Sequence, residues 1–157
     1  MLKPFFIISV VFFFFTSVNV FSEEQPQSKV KGPITVTSET LTNDNKAHTA
    51  LFEKNVIART TDMTIYADKM LVYYKEGSGD VTKIEASGNV RLYKNGRIIT
   101  SRDATYYADE DKAVFTGDPR AVDGENVVTG SVMTYYIGED RSFVEKSKVF
   151  LKNKKEQ

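Results

Sequence analysis

The sequence predicts an all-β domain, and three observations carry the prediction. From Pro33 to Leu151, apolar and polar residues alternate with a period of two in segments rich in Val, Ile, Thr, Tyr and Phe, as in half-buried strands. No apolar stripe at helical spacing interrupts these segments. Turn-forming pairs such as Asn95-Gly96 and Asp123-Gly124 separate them. With 157 residues, 41% of them hydrophobic, the chain is long enough for one such domain.

The first 22 residues are predicted to be a secretory signal peptide. Lys3 is followed by an uncharged run from Pro4 to Ser22, and the acidic pair Glu23-Glu24 comes directly after it. A basic start, an apolar centre and a small final residue make up a cleavable export signal. The run also approaches the roughly 20 residues that span a bilayer, so an uncleaved anchor is the alternative. Either way, the rest of the chain is predicted to lie outside the cytoplasm.

The remaining chain divides into three parts. Residues 23–32 are polar and contain proline, which predicts a flexible lead; residues 33–151 form the domain, and residues 152–157 form a charged tail. In chain order, the predicted strands are ITVTSETLT, ALFEKNVIART, MTIYADKMLVYY, VTKIEASGNVRLY, RIITSRDATYYA, KAVFTGDPRAV, NVVTGSVMTYYI and SFVEKSKVFLK.

These segments repeat one unit. A small residue that comes two positions after Val or Ile, with another apolar or small residue three positions later, recurs at spacings of 29, 34 and 29 residues, at Ser38, Ala67, Ser101 and Gly130. A second motif ends at Val56, Val90, Pro119 and Val149. Repeats of about 30 residues are typical of stacked folds in which no unit buries its apolar face alone. A rolled or stacked antiparallel sheet is therefore predicted.

Alternation along each strand assigns one face to the interior. The inward residues are predicted to be Val36, Phe52, Val56, Ile65, Met70, Val72, Ile84, Val90, Leu92, Ile99, Tyr106, Phe115, Val128, Met133, Tyr135 and Phe143. The opposite face carries Lys54, Lys83, Arg91, Arg120 and Lys148, and these cations support the assignment.

Composition and motifs exclude several classes of function. The 21 basic and 21 acidic residues balance, and no Lys/Arg-rich run is present, so nucleic-acid binding is not expected. The chain has no cysteine for a thiolate nucleophile or a Cys-ligated metal. His48 is the only histidine and is predicted to lie in a solvated turn. The Asp109-Glu110-Asp111 cluster lacks the ligand spacing of a calcium loop. We expect no catalytic residue, metal or cofactor.

Two further patterns leave alternatives open. Asp62, Asp68 and Asp103 lie beside the repeated small positions and could supply the carboxylate pair of a carbohydrate-active enzyme, although their repetition favours strand-end hydrogen bonds. The pairs Tyr73-Tyr74, Tyr106-Tyr107 and Tyr135-Tyr136 could stack on sugars. Since adjacent strand residues point to opposite faces, core packing by one tyrosine of each pair is favoured.

Four motifs carry a family resemblance. They are MTIYADKMLVYY, KIEASGNVRLY, ITSRDATYYADEDKAVFTGDPRAV and NVVTGSVMTYYIGEDR. Together they resemble the LptA/OstA family of periplasmic lipopolysaccharide transport proteins over about residues 34–151. The resemblance implies an open, V-shaped OstA-like β-jellyroll whose apolar interior shelters lipid A acyl chains, so that the sixteen inward residues would be lipid-binding.

The resemblance also implies a role and partners. The protein would carry lipopolysaccharide from the inner to the outer membrane as a periplasmic bridge, without catalysis. Its edge strands would pair with an LptC-like inner-membrane protein, with an LptD-like outer-membrane protein, and head to tail with further copies of itself. Because the N-terminal run could be an anchor, an LptC-like anchored component of the same pathway is the alternative.

Overall fold

The computed structural model describes residues 34–152, so the predicted signal peptide, the lead and most of the charged tail lie outside the described residues. Twelve strands make up this part: β1 (Thr35–Thr37), β2 (Thr40–Asp44), β3 (Thr49–Arg59), β4 (Met63–Tyr74), β5 (Val81–Lys94), β6 (Arg97–Tyr107), β7 (Lys112–Thr116), β8 (Arg120–Asp123), β9 (Asn126–Thr129), β10 (Val132–Tyr136), β11 (Arg141–Glu145) and β12 (Lys148–Phe150). All pairings between them are antiparallel. In this stretch no helix is long and apolar enough to cross a bilayer. The all-β prediction is confirmed.

A crease crosses the sheet where each repeat bends. Strand register shifts there between Glu53 and Val56 in β3 and between Ser87 and Val90 in β5, as at β-bulges, which bend a strand. The backbone is left-handed at this line, at Lys54, Asn55, Gly88, Asn89, Gly117 and Asp118. At Gly88, with φ of 77°, a Cβ atom would lie 2.4 Å from an Asp68 carboxylate oxygen, so only glycine fits. Four predicted strands break into two at the crease or at a turn, which explains twelve strands in place of eight.

The crease folds the sheet into two layers. Layer one contains β1, the second half of β3, the first half of β4, the second half of β5, the first half of β6, and β8, β9 and β12. Layer two contains β2, the other halves of β3 to β6, and β7, β10 and β11. Within the described residues the sheet does not close, because β1 and β2 end it on one side and β11 and β12 on the other. This is the predicted open antiparallel β-jellyroll.

The core lies between the two layers. It includes Val56, Met70, Val90, Leu92, Ile99, Phe115, Met133 and Tyr135, each at most 1% exposed. In β4 the inward positions change from Ile65 and Ala67 to Met70 and Val72, because Asp68 and Lys69 both face out at the crease. The repeated spacing of three between small and apolar residues is thus the sequence mark of the crease.

One inward assignment was wrong. Phe143 is 58% exposed, and its neighbour Val144 packs against the core instead. The β10–β11 register pairs Met133 with Val144 and Thr134 with Phe143, so Phe143 shares the outer face with Thr134. The hairpin loop sets this register, and a shift of one residue turns every side chain of a strand to the other face.

Candidate functional site

An apolar cavity lies between the two layers and is lined by residues from the crease to the hairpin ends of the strands. The side chains leave about 60 Å³ free for molecules of water size, within an apolar region of about 650 Å³ that includes open solvent. Both layers contribute to its lining, which includes Ala58, Ile65, Leu92, Ile84, Tyr106 and Phe115. Apart from Thr60 and the Tyr106 hydroxyl, the lining side chains are hydrocarbon or thioether. Such a surface favours an apolar ligand, at about 25 cal/mol per Å² removed from water.

The sixteen predicted inward residues divide into four groups. Seven line the cavity: Ile65, Met70, Ile84, Val90, Leu92, Tyr106 and Phe115. Val56, Val72, Ile99, Met133 and Tyr135 are buried in the same core; Val36, Phe52 and Val128 are half-buried against it; and Phe143 faces out. The prediction missed Met63 and Ile137, which also line the cavity. Each lies two residues beyond a predicted inward residue, so extending the alternation to the hairpin ends would have found both.

Charged side chains join the hairpin ends of the two layers, next to the cavity residue Ile137. We call this group, Lys94 and Arg97 of layer one with Tyr135 and Asp140 of layer two, the clasp. Arg97 Nη1 donates to Asp140 Oδ1 at 2.8 Å, and the Tyr135 hydroxyl donates to the same oxygen at 2.6 Å. Lys94 Nζ donates to the carbonyl of Ile137 at 3.3 Å. The clasp therefore holds the hairpin ends of the two layers together.

The clasp is charged at neutral pH. Burial, followed by the hydrogen bond to Asp140, raises the pKa of Tyr135. That hydrogen bond and the nearby Arg97 lower the pKa of Asp140. Burial alone would lower the pKa of Arg97, but Asp140 and Asp123 raise it. Each cation of the clasp has a further acidic partner. Asp123 lies 3.3 Å from Arg97, and Asp62 lies 3.2 Å from Lys94. Neighbouring carboxylates thus hold Arg97 and Lys94 in place in this partly buried site.

Removing the Arg97 side chain is expected to destabilise the protein by about 1–2 kcal/mol, because charge-assisted hydrogen bonds and a cation–π contact with Tyr135 are lost. Urea unfolding of Arg97→Ala measures this. Arg102→Ala is the control, since Arg102 and Asp118 are 70% and 98% exposed and such pairs contribute little. Equal losses for the two variants would contradict a specific role of the clasp.

The contribution of Asp140 to the free energy of unfolding is expected to decline below about pH 4. Because its pKa is lowered on folding from 3.8, the unfolded chain takes up the proton first, so stability is lost as pH falls through the folded value. Urea unfolding of the unchanged protein and of Asp140→Asn, from about pH 6 to pH 3, checks this. The stability gap between them should shrink on acidification. A constant gap would refute the assignment, and the subtraction removes the effects of Asp62 and Glu85, whose pKa values are also lowered.

Two of the three carboxylates considered for catalysis, Asp62 and Asp68, are far apart. Asp62 lies at the hairpin end beside Lys94, whereas Asp68 lies at the crease and accepts a hydrogen bond from Asn89 at 2.7 Å. Six residues of extended chain separate them by about 20 Å, well beyond the carboxylate spacing of glycosidases. Asp103 faces out near the crease, paired in register with Ser87. Asp62 and Asp68 are therefore too far apart to act together on one glycosidic bond.

The other polar candidates occupy turns. His48 has φ of 52°, and its Nε2 lies 3.8 Å from Glu76. Asp111 accepts a hydrogen bond from the Tyr106 hydroxyl at 3.1 Å. Over residues 34–152, no group of three or more His, Cys, Asp or Glu side chains is arranged to hold a metal ion.

Both ends of the sheet expose apolar side chains beside strand edges that are unpaired among residues 34–152. Ile34 and Leu41 are 43% and 59% exposed at the β1–β2 end. At the β11–β12 end Val149, Phe150 and Leu151 are more than half exposed. Free backbone groups next to apolar side chains favour pairing with another strand.

Comparisons with known proteins agree with this architecture. Residues 35–141, well over half of the chain, match a family model described as LptA/(LptD N-terminal domain) LPS transport protein. The fold is similar to the crystal structure of LptH, the LptA homologous periplasmic component of the conserved lipopolysaccharide transport device from Pseudomonas aeruginosa. The TM-score is 0.72 at 10% identity, covering 80% of this chain and 99% of that chain, so the likeness shows the fold alone. No curated protein matches the sequence.

Proposed function

This chain belongs to the LptA/(LptD N-terminal domain) family of lipopolysaccharide transport proteins, and from that premise we propose that it is a periplasmic bridge that binds lipopolysaccharide acyl chains between its two layers. The observation that carries the proposal is the cavity, whose two walls are apolar and whose only polar side-chain groups, among the residues that the structure describes, are Thr60 and the Tyr106 hydroxyl. Acyl chains gain free energy by leaving water, and no chemical step is needed.

The clasp controls entry in this mechanism. Acyl chains reach the cavity from the side opposite the crease, where Arg97 and Asp140 join the layers. Lipid entry separates these side chains, and the crease, with its glycines, acts as the hinge between the layers. The sugar and phosphate groups stay in water at the opening, because the interior offers them almost no hydrogen-bonding partners.

The two ends of the sheet form the contacts with other proteins that a bridge requires. A strand added to β1 and β2, or to β11 and β12, continues both layers and also the apolar interior between them. We propose that these ends pair with an LptC-like inner-membrane protein, with an LptD-like outer-membrane protein, and head to tail with further copies. The exposed Leu41, Val149 and Phe150 would be covered in such contacts.

Photocrosslinking in living cells tests the cargo. A photoreactive amino acid at Ile65 or Ile84, both half-buried and lining the cavity, should give lipopolysaccharide adducts. Lys83, the chain neighbour of Ile84, faces the other way and is the matched control, together with Lys69, which is exposed on layer two. Adducts at the first pair alone support the proposal. Folded, exported protein without adducts at either pair would sink it.

An LptC-like anchored role is the second candidate, favoured by the uncharged run from Pro4 to Ser22. Mass spectrometry of the N-terminus in cells separates the two. Glu23 as the first residue excludes the anchor, whereas an intact Met1 supports it.

A further inference from the structure

The outer face of layer one differs from every other surface described so far. Strand register places two parallel rows of side chains on it, each crossing eight strands. The basic row consists of Thr37, Ile57, Tyr66, Arg91, Thr100, Arg120, Thr129 and Lys148. The apolar row consists of Thr35, Arg59, Thr64, Tyr93, Ile98, Val122, Val127 and Phe150. At about 4.8 Å between strands, each row is roughly 34 Å long.

Within the two rows the charge has one sign. The four charged residues are Arg59, Arg91, Arg120 and Lys148, all exposed, and neither row contains a carboxylate. At the crease, Asp68 and Asp118 line a surface groove together with Arg91. Within residues 34–152, none of the four forms an ion pair. Arg91 instead lies over the ring of Tyr66, 5.3 Å from its centroid. These cations are therefore available to an anionic partner.

The outer face of layer two carries a different arrangement of charges. Its outer face mixes both signs, and its cations are largely paired: Lys83 with Glu85 at 2.7 Å and Lys69 with Glu53 at 3.6 Å. The whole chain is electrically neutral, so the excess on layer one is a local feature that net charge conceals.

We propose that the outer face of layer one docks on an anionic lipid bilayer. Lipid phosphates would meet the basic row, while Tyr93 and Phe150, 38% and 62% exposed, would enter the interfacial region beside it. A row of cations beside an apolar row that contains aromatic side chains is the pattern of interfacial membrane binding. The cargo cavity lies on the other face of the same layer, so this surface does not depend on the proposed cargo. Because both rows run along the direction in which further strands would add, a docked molecule lies along the bilayer with Phe150 uncovered, and it is not at the same time part of a bridge between two membranes.

Vesicle binding tests the charge. The protein is purified in the form that cells accumulate and mixed with vesicles of phosphatidylcholine containing about one third phosphatidylglycerol. The triple variant R91Q/R120Q/K148Q should bind at least tenfold more weakly, and added salt should weaken binding of the unchanged protein. The control K69Q/K83Q/K112Q loses the same charge from layer two and should bind as the unchanged protein does. Equal losses in the two triple variants, or no loss in either, would overturn the proposal.

Tryptophan reporters test the orientation. The chain has no tryptophan, so Phe150→Trp and Phe143→Trp each introduce a single fluorescent probe. The two sites are similarly exposed, at 62% and 58%, but Phe150 lies on layer one and Phe143 on the outer face of layer two. Anionic vesicles should shift the emission of the first variant to shorter wavelength and leave the second unchanged. Shifts in both would indicate binding by another segment. Self-association through this face without vesicle binding would assign it to a second copy.

Discussion

Replacing Phe115 with alanine is expected to destabilise the protein by about 3–5 kcal/mol. Phe115 is 1% exposed and lies on β7 between Ala104 of β6 and Met133 of β10. Small neighbours such as Ala104 and Ala113 cannot expand into the space that a phenyl ring leaves, so a cavity would remain. Urea unfolding, with the slope checked for a two-state transition, measures the loss.

The matched control is Phe143→Ala, which removes the same atoms from layer two. Phe143 is 58% exposed on an end strand, so its removal should cost less than about 0.5 kcal/mol. A similar loss at the two sites would mean that Phe143 is buried, as the alternation first predicted, and that the β10–β11 register is different. Phe115→Ala should also reduce lipid uptake in a folded variant, because its side chain forms part of the cavity wall.

Most interior residues were predictable because the alternation either continues across the crease or changes there at a position that the repeat marks. In β3 and β5 the inward residues keep one parity through the bulge, as Phe52 and Val56 do. In β4 the parity changes, yet the repeated small residue marks the place, so Met70 was still assigned correctly to the interior. The inward assignment of Phe143 was wrong because β11 follows a hairpin loop rather than a repeated motif. The local sequence does not determine how that loop aligns its two strands.

The clasp could not be predicted from the sequence. Arg97 and Asp140 are 43 residues apart, and their contact depends on two hairpins of different layers meeting in three dimensions. The outward cations Lys83, Arg91 and Arg120 were predicted, but alternation distinguishes only inside from outside. Dividing the outside into a mixed face and a basic face requires the position of the crease in three dimensions, which places Lys83 on layer two and Arg91 on layer one.

Replacing Gly130 with alanine is expected to destabilise the protein by about 1–3 kcal/mol and to loosen β11. Gly130 lies at the crease between β9 and β10. A Cβ atom there would lie 2.4 Å from Val144 Cγ1 and 2.5 Å from the carbonyl oxygen of Glu145. That carbonyl accepts the backbone hydrogen bond of Ser131 at 2.9 Å, so relieving the contact breaks a link between β10 and β11. Urea unfolding and hydrogen exchange of the β11 amides measure the two effects.

Two further variants identify the cause. Val144→Ala combined with Gly130→Ala removes the side-chain clash but leaves the carbonyl, so the β11 amides should still exchange faster than in Val144→Ala alone. Gly96→Ala is the control, because nothing lies within 4 Å of its added Cβ and only the strain of a φ of 79° applies. Full rescue by the double variant would show that the carbonyl moves freely. Since β11 is one of the two strands that end the sheet, faster exchange there should accompany weaker head-to-tail pairing, while the cavity between the layers keeps its lining.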